Sequence, residues 1–171
     1  MTNARRKWHH ALLRAGCMLG AAWLMVAVTT VAPAGPASAG DMRHYWTDTQ
    51  TGLAIGGYDP LAYFVDGKPR LGSTEFEAEW AGVHWRFVNA GNRAAFLDAP
   101  EFYAPQFGGY SAYAVAQGRA VQGNPLIWAV QRQRLYLFYS PAHKHLWQSE
   151  PDEIAAAAAT VWPRLELTLD R

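Results

Sequence analysis

Cysteine is almost absent from this chain: Cys17 is the only one among 171 residues. It lies in an amino-terminal stretch that reads as a removable leader. Arg5, Arg6, Lys7 and Arg14 make a basic start without an acid, an apolar run from Ala15 to Ala32 follows, and Pro33 to Ala39 is small and helix-breaking. Ala37-Ser38-Ala39 fits the small-x-small rule for cleavage before Gly40, so residues 1–39 are expected to be a signal peptide and the mature chain to be periplasmic or secreted. Uncleaved, the apolar run would sit at the lower edge of what spans a bilayer; once it is removed, no membrane span is expected. The mature chain then holds no thiol, so an oxidising compartment offers it no disulfide.

A basic surplus is missing as well. The full chain carries +1, but four of its basic residues lie in the leader, leaving 11 Lys+Arg against 14 Asp+Glu, or −3, in residues 40–171. A nucleic-acid partner asks for a basic face, and none is expected here. Stability must come from the core, and the aromatics supply it. Six Trp, eight Tyr and seven Phe remain after the leader, each able to bury roughly 150–250 Å². The length suits one domain, read as a polar lead-in over 40–50 followed by a domain over 51–171.

Along that domain, Gly56-Gly57 marks a turn and Asp59-Pro60 initiates another. Leu61 to Val65 reads as a strand and Asp66-Gly67 as its hairpin turn. Thr74 to Trp80 alternates, with Phe76, Ala78 and Trp80 on one face and Glu75, Glu77 and Glu79 on the other. Val83 to Val88 alternates again, which predicts an antiparallel hairpin. Asn89 is an N-cap for a helix over Ala90 to Ala99, with Phe96 and Leu97 inward. Tyr110 to Gln117 reads as a short buried helix entered through Gly108-Gly109, with Tyr110 and Tyr113 on one side and Gly118 as its cap. Leu126 to Val130 and Leu135 to Tyr139 predict a second hairpin, its return strand apolar on both faces. Ser140-Pro141 opens a helix to about Gln148. Pro151 opens another, carried by the Ala155 to Ala159 run to Trp162 and stopped by Pro163. No internal repeat stands out. The fold class is α+β, a small, mostly antiparallel sheet with packed helices.

Several of these stretches together resemble the exported bacterial YHS-domain proteins: Gly56-Gly57-Tyr58-Asp59-Pro60-Leu61-Ala62-Tyr63-Phe64, then Trp80 to Phe87, Asn92 to Leu97, Tyr103 to Tyr110, and Leu135 to Pro141. The resemblance spans roughly residues 50 to 150 and implies a YHS-like single domain. The broader group implies small metal-binding modules with cysteine ligands. At the places where those cysteines would stand, this chain has Ala62, Val88, Asn92 and Ser111. Serine is a far poorer ligand than thiolate for soft metals, so a cysteine-ligated metal is not expected, and no other cofactor is named.

What chemistry remains is sparse. His143 and His145 are two apart, on nearly opposite faces of a helix, so the two cannot share one ion. His84 and His143 are the candidate metal ligands, together with Asp59 if the fold gathers them. Ser111 misses the Gly-x-Ser-x-Gly elbow because Tyr113 stands in place of the second glycine, and no spacing singles out a histidine and acid for it. The three strand glutamates read as a solvated face. Asp59 reads as an Asx turn or a group that orients a ligand. Tyr58, Asp59, Gly109, Tyr110, Ser111 and Tyr113 are the candidate ligand-binding residues, at a junction where glycines permit close approach. The expectation is a non-enzymatic binder of a small ligand or a periplasmic protein partner, with a metal or redox accessory module using His and Asp ligands as the alternative.

Overall fold

The structure is a computed structural model and describes residues 44–169; the leader lies outside the described residues. The elements run in chain order α1 (Ala62–Val65), β1 (Ser73–Trp80), β2 (Val83–Phe87), α2 (Ala90–Asp98), α3 (Pro100–Tyr103), α4 (Ala112–Ala116), β3 (Asn124–Gln131), β4 (Arg134–Phe138), α5 (Pro141–Ser149) and α6 (Pro151–Glu166). Short 3-10 turns at Ile55–Gly57 and Gln106–Gly109 precede α1 and α4. Both strand pairs are antiparallel, β1 with β2 and β3 with β4, and they form two separate two-stranded sheets among the described residues. The class is α+β, as the alternation predicts. Among the described residues no helix is long and apolar enough to cross a membrane.

The chain repeats itself, contrary to the expectation that it does not. Each half opens on a turn with left-handed backbone at the residue before Gly-Gly-Tyr and at its first glycine: Ile55 and Gly56 at φ 44° and 63° in the first, Phe107 and Gly108 at 55° and 58° in the second. Tyr58 then bridges to Leu71, and Tyr110 to Gln122. The Gly72 amide donates to the Gly57 carbonyl at 2.9 Å, and the Gly123 amide to the Gly109 carbonyl at 3.1 Å. The β1–β2 register is irregular between Ser73 and Glu77, and the β3–β4 register between Asn124 and Trp128. Helices α2 and α5 have nine residues each, and their N-caps Asn89 and Ser140 accept from the amides of Asn92 and His143. Each is followed by a residue of the same unusual conformation, Ala99 (φ −147°, ψ 61°) and Glu150 (φ −144°, ψ 64°), and then by a proline that opens the next helix. Two copies of one turn–helix–hairpin–helix motif therefore make up the domain, α6 being a longer counterpart of α3.

The cores correspond too. Trp85, Phe87 and Phe96 are fully buried in the first copy; Tyr136, Phe138 and Trp147 take their places in the second. The first set belongs to the larger cluster, tied by ring contacts such as Trp85–Phe96 at 5.1 Å. The second set forms a smaller cluster around Ala112. The described part of the lead-in is core rather than approach: Tyr45 and Trp46 are buried, and the Trp46 indole donates to the Gly109 carbonyl at 2.9 Å.

Five local expectations are corrected. Leu61 to Val65 is not a strand but the short helix α1, because the Asp59 carboxylate accepts from the Leu61 amide and Pro60 occupies the second position of a turn closed by the Ala62 amide on the Asp59 carbonyl, which leads into the helix. A short apolar run does not by itself separate these two states. Asp66-Gly67 then ends a helix, Gly67 in the left-handed conformation (φ 62°), and joins no hairpin. Helix α4 starts at Ala112, after an extended Tyr110 (φ −70°, ψ 155°), so Tyr110 and Tyr113 do not share a helix face. Pro163 lies inside α6, which continues to Glu166. On α2, Phe96 is buried as expected, whereas Leu97 is largely exposed.

Candidate functional site

The two copies differ most where each places a polar side chain just after Gly-Gly-Tyr. In the first copy that residue is Asp59, wholly buried. Its Oδ1 accepts from the Leu61 amide at 2.8 Å; its Oδ2 accepts from the Val88 amide at 2.8 Å and the Asn92 side-chain amide at 2.7 Å. The carboxylate thus closes an Asx turn and pins the end of β2 and the start of α2 onto it. Every partner is a donor, as a carboxylate requires. This is a structural lock.

In the second copy the same place holds Ser111, also wholly buried, and the counterpart of Asn92 is His143. The Ser111 hydroxyl lies 3.0 Å from His143 Nδ1 and makes no cap to its own helix α4. The imidazole is half-buried between two phenol rings, Tyr113 at 5.2 Å and Tyr139 at 5.7 Å between centroids, tilted by 56° and 54°. Tyr139 is 58% exposed, whereas Val88, its counterpart beside Asp59, is half-buried, so the second cluster opens further to the surface.

Burial pushes the His143 pKa below its ordinary value, and the charge of Arg119 adds to the effect. Folding therefore favours neutral imidazole. The unfolded chain takes up the proton first, so the contribution of His143 to stability is complete above about pH 6.5 and declines as the pH falls below it. An NMR titration of the folded protein is expected to place the His143 midpoint below that of an exposed histidine; a raised midpoint would contradict the geometry.

The remaining candidates have other roles. Gly109 (φ 80°) lets the Trp46 indole approach, since a Cβ there would meet its Nε1 at 2.9 Å. Tyr110 faces the lead-in: its hydroxyl lies 3.0 Å from His44 Nε2 and its ring packs on Trp162. Tyr58 bridges to Leu71. Among the described residues no hydrogen bond joins the Tyr58-Asp59 turn to the Tyr110–Tyr113 segment, so the candidates divide between the two copies. His84 is exposed, and its backbone carbonyl accepts from the Ala54 amide. No three of His, Cys, Asp and Glu are grouped to hold a metal among the described residues. Asp59, His84 and His143 thus stand apart.

Tyr139 is the member that sequence reasoning missed, along with the pairing of Ser111 to His143. The signal for both was the repeated Gly-Gly-Tyr, which sets Ser111 opposite Asp59 and His143 opposite Asn92. No protein-family model, curated protein or solved structure matches this chain.

Proposed function

We propose that this chain is an exported, YHS-like, non-enzymatic binding domain, which takes a small ligand or a periplasmic partner at Tyr113, Tyr139 and His143, with the buried Ser111 orienting the imidazole from behind. The observation that carries this reading is the difference between the copies. Around Asp59 the motif is sealed by three donated hydrogen bonds. At the equivalent place of the second copy, a serine and a histidine stand under two tyrosines at the surface. A structural lock needs no such replacement; a binding face uses aromatic walls with a few polar tips.

Hydrolysis fits the same pair poorly. Ser111 is wholly buried, so a substrate carbonyl has no approach to its hydroxyl. The histidine meets the serine through Nδ1, and no carboxylate bonds its other nitrogen among the described residues, whereas a serine nucleophile needs a base oriented by a third group.

The test is native mass spectrometry of the mature chain isolated from an exporting host. A bound small molecule or partner near one per chain is expected, retained by Asn92→Ala, provided that variant folds, and lost by His143→Ala and Tyr139→Ala. Retention in both latter variants would refute the site. Elemental analysis of the same sample reads the alternative: metal near one per chain, lost on substituting His84 or His143, would replace the binder by a metal or redox accessory module.

A further inference from the structure

We infer, independently of the binding reading above, that β3 is an interface strand, along whose outer edge two copies of this chain pair antiparallel about a two-fold axis. The first support is the backbone. β3 pairs with β4 on one side only, as β1 does with β2. Arg132 and Gln133 form a two-residue turn with left-handed backbone, φ 48° and 58°, between the paired Gln131 and Arg134. In such a hairpin the residues flanking the turn exchange both hydrogen bonds, and the pairs alternate from there. Trp128 and Val130, opposite Leu137 and Leu135, therefore turn their amides and carbonyls to the outer edge. Among the described residues no backbone bond from outside the hairpin reaches them. A free edge of this kind is a template for another strand.

The second support is what guards the corresponding edge in the first copy. The two hairpins match in register: the pairs Ser73–Phe87 and Trp80–Val83 answer to Asn124–Phe138 and Gln131–Arg134. Glu75, Glu77 and Glu79 of β1 thus correspond to Leu126, Trp128 and Val130 of β3. Charges along an edge strand keep a second strand away. β1 carries three, and β3 carries none from Asn124 to Gln131. Leu126 and Val130 are 59% and 36% exposed. Trp128, between them, packs edge-on against Tyr63 at 5.2 Å, with the Lys144 ammonium 6.0 Å from its ring centre. The arginines beyond the strand are engaged, Arg132 with Asp152 and Arg134 on the Glu101 carbonyl.

The same pattern selects the occupant. When β3 pairs with itself, only uncharged residues of 124–131 stand opposite one another, whatever the register. β1 against its own copy sets glutamate opposite glutamate, which is unfavourable. β1 against β3 of another copy lays three carboxylates over apolar side chains, which removes their water without supplying a partner. Among the described residues β3 offers the one unguarded edge, since β2 and β4 are bridged on their far sides by Leu53 and Ser111. An isologous contact between two such edges closes at two and leaves the glutamate edges outside. A second copy is therefore the strand that this edge fits.

The experiment is sedimentation velocity of the mature chain across a dilution series, with hydrogen exchange at the Trp128 and Val130 amides read by NMR on the same samples. A dimer is expected, with both amides protected in it and exchanging freely as dilution dissociates it. Leu126→Glu with Val130→Glu, both at exposed positions, restores the guard of the first copy. It is expected to weaken the dimer by about tenfold or more and to leave the circular-dichroism spectrum that of the parent. A monomer at every concentration, with fast exchange at both amides, would overturn the inference. So would a dimer that survives the folded glutamate variant, since its contact would lie elsewhere. Protection that persists in a monomer would also overturn it, the edge then being covered by the chain's own residues or by a peptide carried through purification. If the glutamate variant does not fold, the dilution dependence of the two amides in the parent decides alone.

Discussion

Gly108→Ala is expected to unfold most of the protein, while Gly56→Ala, its counterpart in the other copy, leaves it folded. Both glycines have left-handed backbone, φ 58° and 63°. That conformation costs an L-residue roughly 1–2 kcal/mol in either place. The surroundings differ. A Cβ at Gly56 would meet only the Trp46 ring, at 3.8 Å, an ordinary contact. A Cβ at Gly108 would lie 1.8 Å from the carbonyl oxygen of His44. That oxygen is backbone and has no rotamer to escape into.

The strand-like lead-in would have to lift away from Gly108. It is held there by the Trp46 amide on the Gly108 carbonyl at 3.1 Å, the Trp46 indole on the Gly109 carbonyl and the His44 amide on Glu166 at 2.6 Å. Losing the Trp46 burial costs about 1.5–3 kcal/mol, and each hydrogen bond about 1 kcal/mol. With the backbone term, the total is on the order of 5 kcal/mol, comparable with the whole stability of a small domain. Urea unfolding followed by tryptophan fluorescence reads both variants. Equal midpoints would show that the lead-in does not pack on Gly108 as described.

The lead-in itself shows where sequence reading ends. Alternation revealed both hairpins, because half-buried strands must alternate, and Asn89 and Ser140 were legible as N-caps because their side chains do local work. The buried role of Tyr45 and Trp46 depends on Gly108 and Gly109, far along the chain, and leaves no periodic trace. The duplication was legible only in Gly-Gly-Tyr. Elsewhere the copies keep size and burial rather than identity, as Trp85 and Tyr136 or Phe96 and Trp147 do. The candidate site was half visible. Ser111 and His143 each stood out by chemistry, but they are 32 positions apart and on different elements. Only the first copy, where Asp59 and Asn92 pair across 33 positions, explains why they meet.

Asp59→Ala is the second change expected to cost several kcal/mol, and its contrast with Ser111→Ala tests the division of labour between the copies. Removing the Asp59 carboxylate strands the Leu61 and Val88 amides and the Asn92 side chain together. A buried donor without a partner costs about 1–3 kcal/mol. Allowing for relaxation, a loss of roughly 3–5 kcal/mol is expected. Asp59→Asn should be nearly as harmful, since one amide nitrogen would face donors. Ser111→Ala breaks a single hydrogen bond, to His143, and should cost about 1 kcal/mol. The pair Asp59→Ser with Asn92→His transplants the second copy's chemistry into the first. It should recover part of the loss of Asp59→Ser, with a coupling of roughly 0.5–3 kcal/mol in a double-mutant cycle. Recovery stays partial because the Val88 amide still lacks its acceptor, and Val88, unlike the exposed Tyr139 that corresponds to it, is partly buried away from water. If Asp59→Ala unfolds at the same urea concentration as Ser111→Ala, the Asp59 cluster is no lock. The case for reading the second copy as a binding face would then lose its reference point.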